Sequence, residues 1–174
     1  MDQFASMMGK ENKALKIDTR SLGFEYSNID LANFRFVLCD TKISHSLASS
    51  QYNTRREECQ KGVKILQKYN QKLTLLREVS LEFLEAHKSQ FEPTIYNRCE
   101  FVVSENLRVL QATKALKQGN LHELGKLIYQ SHEGLSSKYE VGCEKLDFFI
   151  ISSRIHASVN EPFIFWRGCI NLFF

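Results

Sequence analysis

Chain breakers are scarce: two prolines and eight glycines stand in 174 residues. No Pro/Gly-rich stretch and no low-complexity segment offers a linker, and no internal repeat is visible, so composition marks no domain boundary. No apolar run approaches the roughly 20 residues of a membrane-spanning helix; the run Phe163 to Phe165 is far too short. No charged n-region followed by an apolar h-region is present, and no secretory signal is expected. Long basic runs are missing too. A net charge of +3 spread along the chain argues for neither nucleic acid nor a membrane surface. The cysteines, Cys39, Cys59, Cys99, Cys143 and Cys169, are odd in number and lack CxxC spacing. Disulfide frameworks and zinc sites favour even sets at short spacings, so reduced thiols in a cytoplasmic protein are expected.

What is present suits a soluble globular chain. Hydrophobic residues make up 43% and charged residues 25%, and the length allows a real core. Thirteen phenylalanines point to an aromatic-rich core, or to rings that pack against something outside the chain.

Hydrophobic periodicity divides the sequence. The first forty residues read as strands, with alternation at Leu15 and Ile17, at Phe24 and Tyr26, and at Phe34, Phe36 and Leu38. Ser21 and Gly23 mark a turn, so the first two strands are expected to pair antiparallel. From Ser49 onward the period is helical. Cys59, Val63 and Leu66 share one face of a helix from about Tyr52 to Tyr69. Pro93 opens a long helix, where its missing N–H is not needed, with Val103, Leu107 and Leu110 as its apolar stripe. Gly119 fits its end and Asn120 caps the next helix, whose buried face is Leu121, Leu124, Leu127 and Ile128. Cys143, Leu146 and Ile150 suggest a last helix, and Asn171 to Phe174 a strand rejoining the sheet. The expected class is α+β, an antiparallel sheet with helices on one face.

By themselves the polar candidates are ordinary. Asp2 is a carboxylate at a terminus, where side chains are usually solvated. Tyr52 is an amphipathic ring at a helix start that hydrogen-bonds locally. Arg55 and Arg56 are helix-surface guanidiniums that pair with Glu57, Glu58 or another carboxylate. His132 and Glu133 are adjacent and point to different helix faces, with no third ligand spaced to join them, so packing or capping is expected rather than metal binding.

The segments in order carry more. His45-Ser46-Leu47-Ala48-Ser49-Ser50-Gln51-Tyr52-Asn53-Thr54-Arg55-Arg56-Glu57-Glu58-Cys59 resembles the Ser-x-Tyr-x-x-Arg-Arg-x-x-Cys block of galactokinases, members of the GHMP family of small-molecule kinases. Met1-Asp2-Gln3-Phe4 resembles that family's Met-Asp-Gln motif. Glu105-Asn106-Leu107-Arg108-Val109-Leu110 resembles a helix core common in the family. Ser131-His132-Glu133-Gly134-Leu135 with Tyr139-Glu140-Val141-Gly142-Cys143-Glu144-Lys145-Leu146-Asp147 resembles its Ser-His-x-x-Leu…Tyr-Glu-Val-Ser-Cys block, with Gly142 for the usual serine.

The resemblance implies the fold of the latter half of a GHMP kinase, in a single domain over residues 1–174. Residues 1–147 follow the family pattern, 148–167 depart from it, and 168–174 resume it. It implies ATP-dependent phosphorylation of galactose at C1, with Mg²⁺. Asp2 is the candidate base facing the sugar hydroxyl, where placement matters more than identity. Tyr52 is the candidate sugar contact. Ser46 lies on the loop along one edge of the nucleotide site, although Ser44 stands where Lys or Arg often precedes the histidine. Three family features are not found: the Gly-Arg-x-x-Glu-His run, the Gly-Leu-Ser-Ser-Ser phosphate loop and a Gly-Gly-Gly-Phe-Gly-Gly loop, in whose place stand bulky Phe163, Phe165 and Trp166. The chain therefore reads as a truncated or split galactokinase-type product, inactive alone, whose exposed apolar surface invites a missing N-terminal half or self-association. The alternatives are a relative acting on N-acetylgalactosamine, and a non-catalytic sugar-binding or regulatory module.

Overall fold

Alternating apolar positions at Leu15, Ile17, Phe24 and Tyr26 give the expected hairpin in a computed structural model that describes residues 2–31, 35–38, 48–144, 147–148, 150, 152 and 163–166. Strand β1 (Lys13–Ile17) pairs antiparallel with β2 (Phe24–Asn28), placing Leu15 opposite Tyr26 and Ile17 opposite Phe24. The connection is pinned locally. Asp18 N–H donates to the Gly23 carbonyl at 2.8 Å, and Arg20 N–H donates to Asp18 Oδ1 at 2.9 Å, the self-bonding turn chemistry of aspartate. Leu22, not Gly23, takes the left-handed backbone, at φ 57°.

The residues before the hairpin depart from the strand expectation. Asp2–Met8 is a helix, α1. Phe4 and Met8, one turn apart, are its half-buried positions, a pattern too short to stand out in seven residues. It packs on the hairpin through Phe4 and Phe24, ring centroids 5.8 Å apart, and the Tyr26 hydroxyl donates to the Met8 carbonyl at 2.6 Å.

Strand β3 (Arg35–Leu38) falls where alternation placed it. Its partner is β4 (Phe163–Trp166), and the pair is parallel. The fold class is α+β as expected, but the described strands form two two-stranded sheets. The returning strand forms at 163–166, where four consecutive β-favouring residues, Phe-Ile-Phe-Trp, outrank the glycine-loop position assigned by resemblance. The segment first assigned that strand, 171–174, lies outside the described residues.

The helices follow their signals closely. Helix α2 spans Ala48–Gln67, α3 Leu81–Ala86, α4 Pro93–Lys117 and α5 Leu121–Ser137. Pro93 is the first residue of α4. Gly119, at φ 67°, ends it in a Schellman arrangement: Asn120 N–H bonds the Ala115 carbonyl at 2.9 Å and Gly119 N–H that of Leu116 at 3.0 Å. Asn120 Oδ1 then accepts from Glu123 N–H at 3.0 Å to start α5. Asn120→Ala is expected to lower stability by about 1 kcal/mol, read from the midpoint of urea unfolding. Of the last expected helix, described residues 144, 147, 148, 150 and 152 are helical.

The chain forms two compact units. The first holds α1, both strand pairs and the stretch Val109–Gln130. Its small core joins Leu121 and Leu124 to Ile29, Leu31, Ala112, Leu116 and Ile128. The second holds α2, α3, α4 up to Arg108 and the chain from Ser131. Cys59 and Leu66 of α2, Leu84 of α3, Cys99, Phe101, Val102 and Val103 of α4, and Tyr139 make its core, with Val63 and Leu135 against it. The α2 face is therefore the one its period indicated. The α4 stripe is not: Val103 is buried, but Leu107 and Leu110 are 45% and 56% exposed. Period decides which residues share a side of a helix, not whether another element reaches that side.

Candidate functional site

Tyr52 stands early in α2 and is 46% exposed. Arg55, one turn on and on the same side, is the start of a charged network beneath it. Arg55 Nε donates to the Tyr139 carbonyl at 2.6 Å. Its Nη1 lies 2.7 Å from Glu58 Oε2 and its Nη2 3.6 Å from Glu140 Oε2. Arg98 enters from α4 and meets the same carboxylates: Nε at 3.2 Å from Glu58 Oε2 and Nη2 at 2.6 Å from Glu140 Oε2. Its Nη1 donates to the Lys138 carbonyl. The Arg55–Glu58 pairing is what the sequence suggested, and Arg56 is exposed.

Sequence reasoning missed Arg98, Glu140 and their convergence. One signal was available. Arg98 lies in the run Ile95-Tyr96-Asn97-Arg98-Cys99-Glu100-Phe101-Val102-Val103, and a guanidinium among so many core residues must find partners for its charge. Its side chain is 2% exposed.

The electrostatics follow from this geometry. The Arg98 hydrogen bond holds the Glu140 carboxyl below the usual carboxylate range; desolvation opposes, and the Arg98 and Arg55 charges add to it. Burial pushes the Cys59 thiol up to about 11, against a hydrogen bond with the Tyr139 hydroxyl. Burial likewise raises Tyr139, and after it come Cys59 and the neighbouring Tyr52. Cys99 is raised by burial, then by Cys59 and Glu58. These thiols stay protonated at neutral pH and are core groups rather than nucleophiles. Glu140 itself has a left-handed backbone, φ 53°. It lies in the turn after α5, where Val141 N–H donates to the Leu135 carbonyl at 3.0 Å.

Asp2 is the first residue of α1 and belongs to the first unit, whereas Tyr52 belongs to the second. Ser46, like His45, lies outside the described residues. Gly134-Leu135-Ser136-Ser137, which superficially resembles a phosphate loop, lies inside α5. There Gly134 makes room for Phe101, whose ring a Cβ would approach to 2.7 Å. His132 Nε2 sits 3.0 Å from Asp147 Oδ1, and Ser136 Oγ donates to Asp147 Oδ2 at 3.0 Å. Among the described residues no three His, Cys, Asp or Glu side chains gather to hold a metal. Nor is any helix among them long and apolar enough to cross a membrane.

A depression of about 360 Å³ in the first unit is lined by Lys16, Glu25, Leu110, Thr113, Lys114, Lys117 and Gln118. Glu25 bridges Lys16 at 2.8 Å and Lys117 at 3.1 Å. Lys114 and Lys117 sit in the last turn of α4, where cations offset the helix dipole.

Known proteins resemble this chain over most of its length. Galactokinase from Thermotoga maritima is 41% identical over 150 residues, 86% of this chain and 40% of the relative. Galactokinase from Clostridium perfringens is 40% identical over 148 residues, 84% of this chain and 38% of the relative. The chain is a homologue of galactokinases. The crystal structure of Lactococcus lactis galactokinase complexed with galactose superposes with a TM-score of 0.71 at 31% identity, covering 83% of this chain and 37% of that one. No family model matches. The chain thus spans about 40% of the length of the curated galactokinases it matches.

Proposed function

We propose that this chain carries the sugar-side residues of a galactokinase, a cytoplasmic enzyme that phosphorylates galactose at C1 with ATP and Mg²⁺, and that it does not turn over alone. The likeness to a galactose-bound galactokinase structure carries this reading. Tyr52 offers a hydroxyl on a half-exposed ring above a fixed base, suited to bonding a sugar hydroxyl. Asp2 supplies an anionic acceptor for the proton leaving the C1 hydroxyl. Ser46 is assigned to the edge of the nucleotide site. ATP and Mg²⁺ supply the phosphoryl group and its charge neutralisation. Exposed Met7, Leu22, Phe24, Leu107, Leu110 and Phe148 favour a covering partner, an N-terminal galactokinase portion or a second copy.

A second reading is a sugar-binding or regulatory module without turnover. A relative acting on N-acetylgalactosamine is tested with that sugar in the same titration. Calorimetric titration with galactose is expected to saturate, and Tyr52→Phe to weaken binding about tenfold, the worth of one oriented hydrogen bond. Absence of galactose binding would sink the sugar-site reading. ADP release by the chain alone with galactose and Mg·ATP would overturn its dependence on a partner, and the same assay with an added N-terminal portion separates kinase from module.

A further inference from the structure

We infer that Arg98 is a positioning residue for Tyr52: through Glu58, Glu140 and the Lys138 carbonyl it locks the turn at 138–140 onto α2 and so sets where the Tyr52 ring stands. This deepens the sugar-contact reading of Tyr52 and rests on it for its functional meaning.

The argument begins with the shape of the guanidinium. A planar fork with five donors meets several acceptors in fixed directions, which an ammonium group cannot do. Arg98 uses all three of its nitrogens, on Glu58 of α2, Glu140 and the carbonyl of Lys138. Arg55 repeats the tie from the α2 side, to the Tyr139 carbonyl, Glu58 and Glu140. Two cations and two anions thus join α2, α4 and the end of α5 at one point. Buried ion pairs are poor sources of net stability because desolvation offsets attraction, and their best-attested use is to specify one arrangement over others.

Backbone strain points the same way. Glu140, three residues past the end of α5, is a non-glycine residue at φ 53°, a left-handed backbone that glycine adopts far more readily. Such a residue persists only where its surroundings over-determine it. Its carboxylate is 59% exposed, so burial does not hold it; the two arginines do. Arg55 stands one turn on from Tyr52 and on the same side of α2, so what fixes Arg55 fixes the turn that carries Tyr52. Arg98, Arg55 and Glu58 are largely buried while the Tyr52 ring is open to solvent, which is the arrangement a pre-set ligand contact requires.

The test reads Tyr52 directly. In the full chain with ring-labelled tyrosine, the Tyr52 signals are assigned by Tyr52→Phe and compared in wild type, Arg98→Lys, Arg98→Met and Glu140→Gly. Leu84→Ala serves as a control that lowers stability in the same unit without touching the network. Arg98→Lys is expected to shift or broaden the Tyr52 ring signals and to speed amide exchange at residues 52–58 about tenfold beyond the control. Galactose affinity is expected to fall about tenfold in Arg98→Lys and to stay unchanged in Leu84→Ala. Should Arg98→Met fail to fold, Arg98→Lys and Glu140→Gly carry the comparison. Tyr52 signals in Arg98→Lys that match wild type overturn the inference whatever galactose does. Signals that move as expected, with no galactose binding even in wild type, uphold the positioning of Tyr52 and overturn the sugar-contact reading instead.

Discussion

Phe101→Ala is expected to lower the unfolding free energy by about 3–5 kcal/mol. The ring is 2% exposed in the core of the second unit and lies against Tyr139, centroids 4.9 Å apart. Deleting it removes both the transfer free energy of a buried aromatic and its stacking partner. The hole would be hard to refill, because the α5 position facing the ring is Gly134, with no side chain to move in. Urea unfolding followed by circular dichroism reads the loss as a lower midpoint at unchanged slope. A loss below about 1 kcal/mol would mean that the site collapses freely, contrary to a tightly packed core.

Gly62→Ala is expected to cost about 1–3 kcal/mol, near the upper end. A Cβ at Gly62 would stand 2.1 Å from Cys99 Sγ and 3.4 Å from a Phe91 ring carbon. Cys99 is fully buried, so α2 and α4 must separate or the thiol must leave its rotamer. The decisive form is a double-mutant cycle with Cys99→Ala, which removes the obstructing sulfur. In that background most of the Gly62→Ala penalty should vanish, a coupling of about 1–2 kcal/mol. Additive losses would show that something other than Cys99 demands glycine at this position.

Much of the fold was legible because its signals are local. The hairpin followed from alternation around Ser21 and Gly23, α4 began at Pro93, and Gly119 with Asn120 ended one helix and started another. Each of these signals needs only neighbours a few residues apart. The misreadings arose where distant chain decides. Leu107 and Leu110 keep the helical spacing of Val103 yet stay exposed. A parallel partner for β3 comes from Phe163–Trp166, more than a hundred residues on, which no local pattern encodes.

The candidate site divides in the same way. Motif order alone pointed to galactokinases and to Tyr52 and Asp2 as residues of interest, because residue identity and short spacing survive without knowledge of the fold. Arg55 with Glu58 was within reach for the same reason, being one helical turn apart. Arg98 with Glu58, and Arg98 with Glu140, are separated by 40 and 42 positions, and only packing α2, α4 and the end of α5 together makes them one network. A buried charge announces in the sequence that partners must exist. Which carboxylates and carbonyls answer it is settled by tertiary contact, since the free energy of a buried ion depends on the groups that surround it in space.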